Sequence, residues 1–104
     1  MTVLRFTPRA RLQLMEIWHY SERRWGERRA SAYLDAINTA IEQAAAGSRR
    51  TRSCTQYGDG LRTLKSGSHN VYLRFDQPAN EVLIIGVLHQ KMDPARHLTK
   101  DEGQ

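Results

Sequence analysis

The chain has 104 residues, room for one domain with a modest core and not for two, and its 39% hydrophobic content fits a globular, water-soluble fold. No apolar run approaches the roughly 18 residues needed to span a bilayer, and the opening MTVLRFTPRA has no signal-peptide hydrophobic region, so a cytoplasmic protein without membrane contact is expected. Sixteen basic against eleven acidic residues leave a net charge of +5, with arginine densest at Arg23, Arg24, Arg28, Arg29 and at Arg49, Arg50, Arg52; this is compatible with nucleic acid, an acidic protein partner or solvated helix faces.

Val3 to Phe6 reads as a short strand that stops at Thr7-Pro8. Thr7 is a natural N-cap and Pro8 suits the first helical position, where its missing N–H costs nothing. Ala10, Leu14, Ile17, Trp18, Ser21 and Trp25 then recur at helical spacing as one buried stripe, with Arg9, Arg11, Gln13 and Glu16 mainly elsewhere. Gly26 ends this helix. A second runs from about Glu27 to Ala46, presenting Ala30, Tyr33, Leu34, Ile37, Ile41 and Ala44 on one face, and Gly47 ends it. So short a break between two amphipathic helices predicts an antiparallel hairpin. Trp18, Trp25 and Tyr33 read as packing residues rather than as a base-stacking platform.

From Gly47 to Gly60 periodicity vanishes and turn formers dominate, which predicts the main loop and the most flexible segment. The single cysteine, Cys54, excludes an internal disulfide and has no zinc-spaced neighbour, so it reads as an ordinary thiol. Three strands follow: Leu61 to Leu64, Asn70 to Phe75 with Val71, Leu73 and Phe75 on one side, and Val82 to Leu88, an apolar run suited to a central strand covered on both faces. Asp93-Pro94 ends any ladder, leaving Ala95 to Leu98 a short turn. The expected architecture is α+β in the order β-α-α-β-β-β, a two-helix hairpin on a mostly antiparallel sheet, with one domain over 1–98 and a loose tail over 99–104.

Phosphate-cradling glycine loops, HExxH, CxxC and a nucleophile-elbow serine are all absent. His69, His89 and His97 lie near strand ends where they are able to gather, but no carboxylate or cysteine stands at a matching spacing, so neither a metal nor a cofactor is expected. His89, Arg96 and His97 beside Arg62 and Arg74 would suit RNA phosphodiester cleavage, and periodicity does not decide whether they meet.

The residues also carry a family resemblance. Phe6-Thr7-Pro8-Arg9-Ala10, Leu14-Met15-Glu16-Ile17-Trp18 with Tyr20, Leu61-Arg62-Thr63-Leu64, Gly67-Ser68-His69, and Val87-Leu88-His89-Gln90-Lys91-Met92-Asp93 with Arg96-His97-Leu98 resemble, in order and spacing, the ParE toxins of the RelE/ParE superfamily. One superfamily branch cleaves mRNA on the ribosome and the ParE branch poisons DNA gyrase. The ribonuclease branch carries lysines, arginines and a tyrosine where rough alignment puts Leu61, Thr63, Asn70, Met92 and Leu98. The resemblance therefore implies a non-enzymatic toxin that binds gyrase and blocks replication, neutralised by a ParD-like antitoxin that alone contacts operator DNA. The alternative is a ribosome-dependent mRNA interferase, and a third reading is an inactive, antitoxin-binding member. Arg62, Arg74, His89, Lys91, Arg96 and His97 are the candidates for the toxicity surface. Leu12, Met15, His19 and Tyr20, off the main stripe of the first helix, are the candidates for antitoxin binding.

Overall fold

The structure is a computed structural model that describes residues 2–98, so the expected tail from Thr99 onward lies outside the described residues. Its elements are β1 (Val3–Phe6), α1 (Pro8–Trp25), α2 (Glu27–Ala45), β2 (Arg52–Ser53), a single 3₁₀ turn (Thr55–Tyr57), β3 (Arg62–Ser66), β4 (His69–Asp76), β5 (Glu81–His89) and α3 (Pro94–His97). The strands form one sheet in the order β1-β5-β4-β3-β2. β1 runs parallel to β5 and every other neighbouring pair is antiparallel. The α+β fold with a helical hairpin on a mostly antiparallel sheet is the one observed.

β5 is an interior strand, second from the β1 edge while β4 is central, and its residues have apolar partners on both faces. Val82, Ile84 and Val87 pack with Leu64, Val71 and Leu73 against Ala10, Ile17, Ile37, Ile41 and Ala44 of the helices. Ile85 and Leu88 pack on the opposite face with Cys54, Leu61 and Tyr72. Each large side chain so buried contributes about 1.5–3 kcal/mol of transfer free energy. The strand keeps both faces filled through a bulge: Tyr72 pairs with Gly86 but Leu73 pairs with Ile84, so Ile85 is the extra residue and the inward–outward alternation changes phase there.

Local chemistry sets the joints. The Thr7 hydroxyl accepts from Ala10 N at 3.1 Å, capping α1, and donates to the Ile85 carbonyl at 3.0 Å, fixing the helix start to β5. Gly26, at φ 94°, is the one residue between α1 and α2, and its positive φ reverses the chain there.

Four features add to or correct the sequence reading. Trp25 does not complete the buried stripe: Ala10, Ile17 and Ser21 are buried, Leu14 and Trp18 are half-buried, and Trp25, the last residue of α1, is 48% exposed. Phe75 is 38% exposed because β3 ends opposite Leu73, so β4 has no third strand beside it at Phe75. The segment from Gly47 to Gly60 is not a bare loop, since Arg52 and Ser53 pair with Thr63 and Arg62, and Cys54 N donates to the Leu61 carbonyl at 2.9 Å. Cys54 is buried there, and burial pushes its thiol pKa up. The first meander strand also runs on to Ser66, which leaves Gly67-Ser68 as a two-residue turn.

β1 pairs only with Glu81 to Ile84, so the later part of β5 lacks a strand on that side. Gln13 fills part of the gap, its Oε1 accepting from Val87 N at 2.8 Å. Gln13→Ala is expected to orphan that amide and to lower unfolding free energy by about 1–3 kcal/mol in urea titrations. The exposed neighbour Leu12→Ala should stay within about 0.5 kcal/mol of the parent.

Candidate functional site

The gap beside the end of β5 opens into a cleft of about 700 Å³ between α1, the β3–β4 turn and the segment after β5. Its α1 wall carries Leu12, Glu16, Ile17 and Tyr20, and its opposite wall carries His69, His89, Met92 and His97. Arg9, Arg24 and Trp25 also line it. The cleft therefore joins two of the four antitoxin-binding candidates, Leu12 and Tyr20, to two of the six toxicity candidates, His89 and His97. Sequence reasoning treated these as separate surfaces.

The histidine wall is built by strand pairing. His69 opens β4 and pairs with His89, which closes β5, so their side chains share the sheet face toward α2 and their ring centroids stand 5.3 Å apart, edge to face. From α2, Tyr33 reaches this point. Ser68 N donates to the Tyr33 hydroxyl at 2.9 Å, and that hydroxyl lies 2.6 Å from His69 Nδ1. With Ser68 using a lone pair of the phenol, the natural arrangement has the phenol donate to Nδ1, which leaves the His69 proton on Nε2. Burial, reinforced by the nearby His89, lowers the His69 pKa to about 4, so His69 is neutral at pH 7. His89 Nδ1 accepts from Lys91 N at 3.1 Å.

Gly67 makes the close approach possible. A Cβ there would stand 2.6 Å from Tyr33 Cε1, and its φ of 59° is one that glycine accepts without strain. Gly86 likewise allows a close approach within β5, where a Cβ would meet Leu98 Cδ2 at 2.8 Å and Gln13 Oε1 at 3.3 Å. Neither glycine nor Tyr33 nor Gln13 was singled out as a site residue from the sequence. The available signal was the Gly67-Ser68 turn directly before a histidine.

The remaining candidates fall outside the cleft. Arg62 donates from Nε to Thr51 Oγ1 at 2.6 Å and from Nη2 to the Thr51 carbonyl at 2.8 Å, tying down the segment before β2. Arg74 donates from Nε to the Asp59 carbonyl at 2.8 Å and braces the turn before β3. Arg74 pairs with Leu83, near the start of β5, whereas His89 is its last residue. The gathering of Arg62 and Arg74 with His89, Arg96 and His97, which periodicity left open, is therefore not formed. Lys91 and Arg96 are exposed beyond the cleft. Asp93 caps α3, accepting from Ala95 N at 3.0 Å, and does not pair with Arg96. Met15 is exposed outside the cleft, and His19 packs its ring edge-on against Trp18 at 5.5 Å. Among the described residues, no group of three or more His, Cys, Asp or Glu side chains is able to hold a metal ion. No helix among them is long and apolar enough to cross a membrane.

The family model for the ParE toxin of the type II toxin-antitoxin system parDE matches residues 4–94. The chain belongs to the ParE toxin family. Toxin ParE1 of Mycobacterium tuberculosis H37Rv is 38% identical to this ParE toxin over 92 residues, 88% of this chain and 93% of that one. Toxin ParE1 of Caulobacter vibrioides is 37% identical over 94 residues, 90% and 95% of the two chains. A chain of the chromosomal ParDE toxin–antitoxin system from P. aeruginosa shares the fold with a TM-score of 0.69 at 19% identity, over 86% of this chain and 96% of that chain. A chain of the toxin–antitoxin complex RelBE2 from Mycobacterium tuberculosis does so with a TM-score of 0.58 at 20% identity, over 85% and 96%. This ParE toxin thus has the fold shared by both branches of the RelE/ParE superfamily.

The lowered His69 pKa has a stability consequence. Unfolded, His69 takes up its proton near pH 6.5, whereas folded it does so only near pH 4. Between those values the unfolded chain binds the extra proton, so stability contributed by neutral His69 is present above pH 6.5 and lost as pH falls toward 4. Urea midpoints measured from pH 7 to 4.5 should fall, and His69→Gln should reduce the slope while lowering the midpoint at pH 7.

Proposed function

We propose that this ParE toxin inhibits DNA gyrase without being an enzyme, and that a ParD-like antitoxin silences it by laying a segment along the cleft. The observation that carries the reading is the continuity of the cleft from the exposed apolar residues of α1 to the basic and histidine-rich exit of β5. An amphipathic segment bound there buries Leu12 and Tyr20 and, with the same contact, covers His89 and His97. Arg9 and Arg24 on the lining suit acidic side chains of such a partner. A cytoplasmic site of action follows from gyrase as target. Operator DNA enters only through the antitoxin.

The non-enzymatic reading is supported by the chemistry of the side chains. Phosphodiester cleavage needs groups that move protons and stabilise developing negative charge. Leu61 is buried in the core, Met92 and Asn70 offer no proton at neutral pH, and His69 is neutral and held by Tyr33. Ribosome-dependent mRNA cleavage remains the second reading because His69, His89 and His97 share one cleft.

Antitoxin-free toxin added to gyrase and plasmid DNA is expected to abolish supercoiling and to accumulate cleaved DNA. Folded toxin in excess that leaves both unchanged removes gyrase as the target, and an mRNA cleavage assay on ribosomes then decides the second reading. Leu12→Glu should weaken antitoxin binding at least tenfold by isothermal calorimetry, because it places a charge against an apolar partner face. An affinity unchanged by Leu12→Glu and by Tyr20→Ala would remove the antitoxin from the cleft. Loss of gyrase inhibition on replacing both Arg96 and His97 by alanine, with the fold intact, would assign the toxicity surface to the segment after β5.

A further inference from the structure

The tip of the helical hairpin presents a cluster that the fold does not use. Trp25 and Tyr20 are 48% and 54% exposed, and their rings meet edge to face with centroids 6.3 Å apart. The Arg24 guanidinium lies over the Trp25 ring at 5.6 Å. Arg23, Arg28 and Arg29 lie within four residues of Trp25 across the one-residue turn at Gly26, all exposed. Among the described residues, none of these four arginines is in an ion pair. Two large aromatics left in water beside four unpaired arginines are unusual for a surface with no ligand, since exposed apolar area of this kind marks binding sites. The acidic neighbours Glu22 and Glu27 offset only part of the charge.

We propose that this tip binds unpaired nucleic acid, with a base stacking on Trp25 and Tyr20 and the backbone phosphates held by Arg23, Arg24, Arg28 and Arg29. Aromatic rings interleaved with arginine are the combination that single strands require, because every base has a π-face and every nucleotide a phosphate. Arginine adds a planar fork that pairs with phosphate and stacks on rings, which the existing contact of Arg24 with Trp25 already displays. A duplex keeps its bases stacked inside and offers the aromatics nothing but its ends. The antitoxin segment proposed above would cover Tyr20 and Arg24, so nucleic acid is a ligand of the antitoxin-free toxin. Tyr20, Arg24 and Trp25 also line the cleft, so this ligand and the antitoxin would exclude each other there, and the site does not rest on gyrase as target.

The test is fluorescence anisotropy with a labelled twelve-nucleotide oligo-dT, the same length of duplex, and a labelled glutamate-rich peptide, each titrated with the full-length, antitoxin-free chain. Oligo-dT is expected to bind more tightly than duplex or peptide, with log K falling against log salt with a slope of about −2 to −3, as four arginine–phosphate contacts on a single strand require. Trp25→Ala should weaken oligo-dT binding about tenfold or more and Trp25→Phe much less, since stacking of one base is worth a factor of about five to a hundred and fifty. Tyr20→Leu gives an independent reading of the same platform, and circular dichroism confirms that each variant is folded. Equal affinity for duplex with no effect of Trp25→Ala and Tyr20→Leu overturns the proposal by reducing binding to bulk charge. Binding of the peptide in preference to oligo-dT, or no binding of oligo-dT at 50 mM salt, overturns it as well.

Discussion

The unequal length of the two strands beside β5 governs this molecule. β5 has nine residues; β4 follows it along its whole length on one side, while β1 covers only its first four residues on the other. Backbone groups left without a ladder partner in a buried strand must find another, at a cost near that of a lost hydrogen bond. The chain answers with side chains from α1: Thr7 serves the Ile85 carbonyl and Gln13 serves the Val87 amide. The helix is thereby fixed across the open part of the strand, and the cleft is the space that remains beyond it.

The same constraint explains why the two faces of the sheet differ in use. The helix-side core needs close packing, and small residues such as Ala10, Ala30, Ala40 and Ala44 bring the helices near each other and the sheet. The far face is covered by Cys54, Leu61 and Leu98 from irregular segments, and the segments carrying Cys54 and Leu61 are held by Arg62 and Arg74 through backbone carbonyls rather than through acids. Two arginines that look like free positive charge in the sequence are thus committed to holding loops. Tyr33 makes the complementary connection on the helix side, joining α2 to the β3–β4 turn through Ser68 and His69.

Much of this was legible in the sequence, and the misses have definite causes. Thr7-Pro8, Gly26, the apolar run from Val82 and the turn at Gly67 announce element ends and a strand covered on both faces, which lies beside the edge strand and not at the centre. Periodicity, however, gives the direction of a side chain and not the extent of the surface it meets. Trp25 continues the stripe of α1 correctly but projects past its partners, and Phe75 continues the alternation of β4 past the end of β3. The meeting of His69 with His89 depends on the bulge at Ile85: an unbroken ladder from Asp76 and Glu81 would have set His69 against Leu88. A bulge inside an apolar run leaves no mark in composition. Gln13 reads as a solvent-facing polar residue because its reason for being there, an unpaired amide on β5, exists only once the lengths of β1 and β5 are compared.

Charge is distributed around the cleft in a way that separates recognition from holding. A cation on the His69 wall would have to be desolvated whenever the cleft filled, and burial already keeps that ring neutral. The positive charge near the cleft instead belongs to long side chains, Arg9 and Arg24 on its lining and the exposed Lys91 and Arg96 beyond it. Charges so placed act over a Debye length and raise the rate of encounter with an acidic partner, with little effect on how long it stays. In the proposed complex, residence would rest on the apolar surface of Leu12, Ile17, Tyr20 and Met92, whose burial is not screened by salt. The two contributions are separable in principle by ionic strength, because one acts mainly on association and the other mainly on dissociation. For the partner proposed above, a basic chain with a neutral His69 in the cleft wall would attract acidic segments broadly and retain those whose apolar side chains fit.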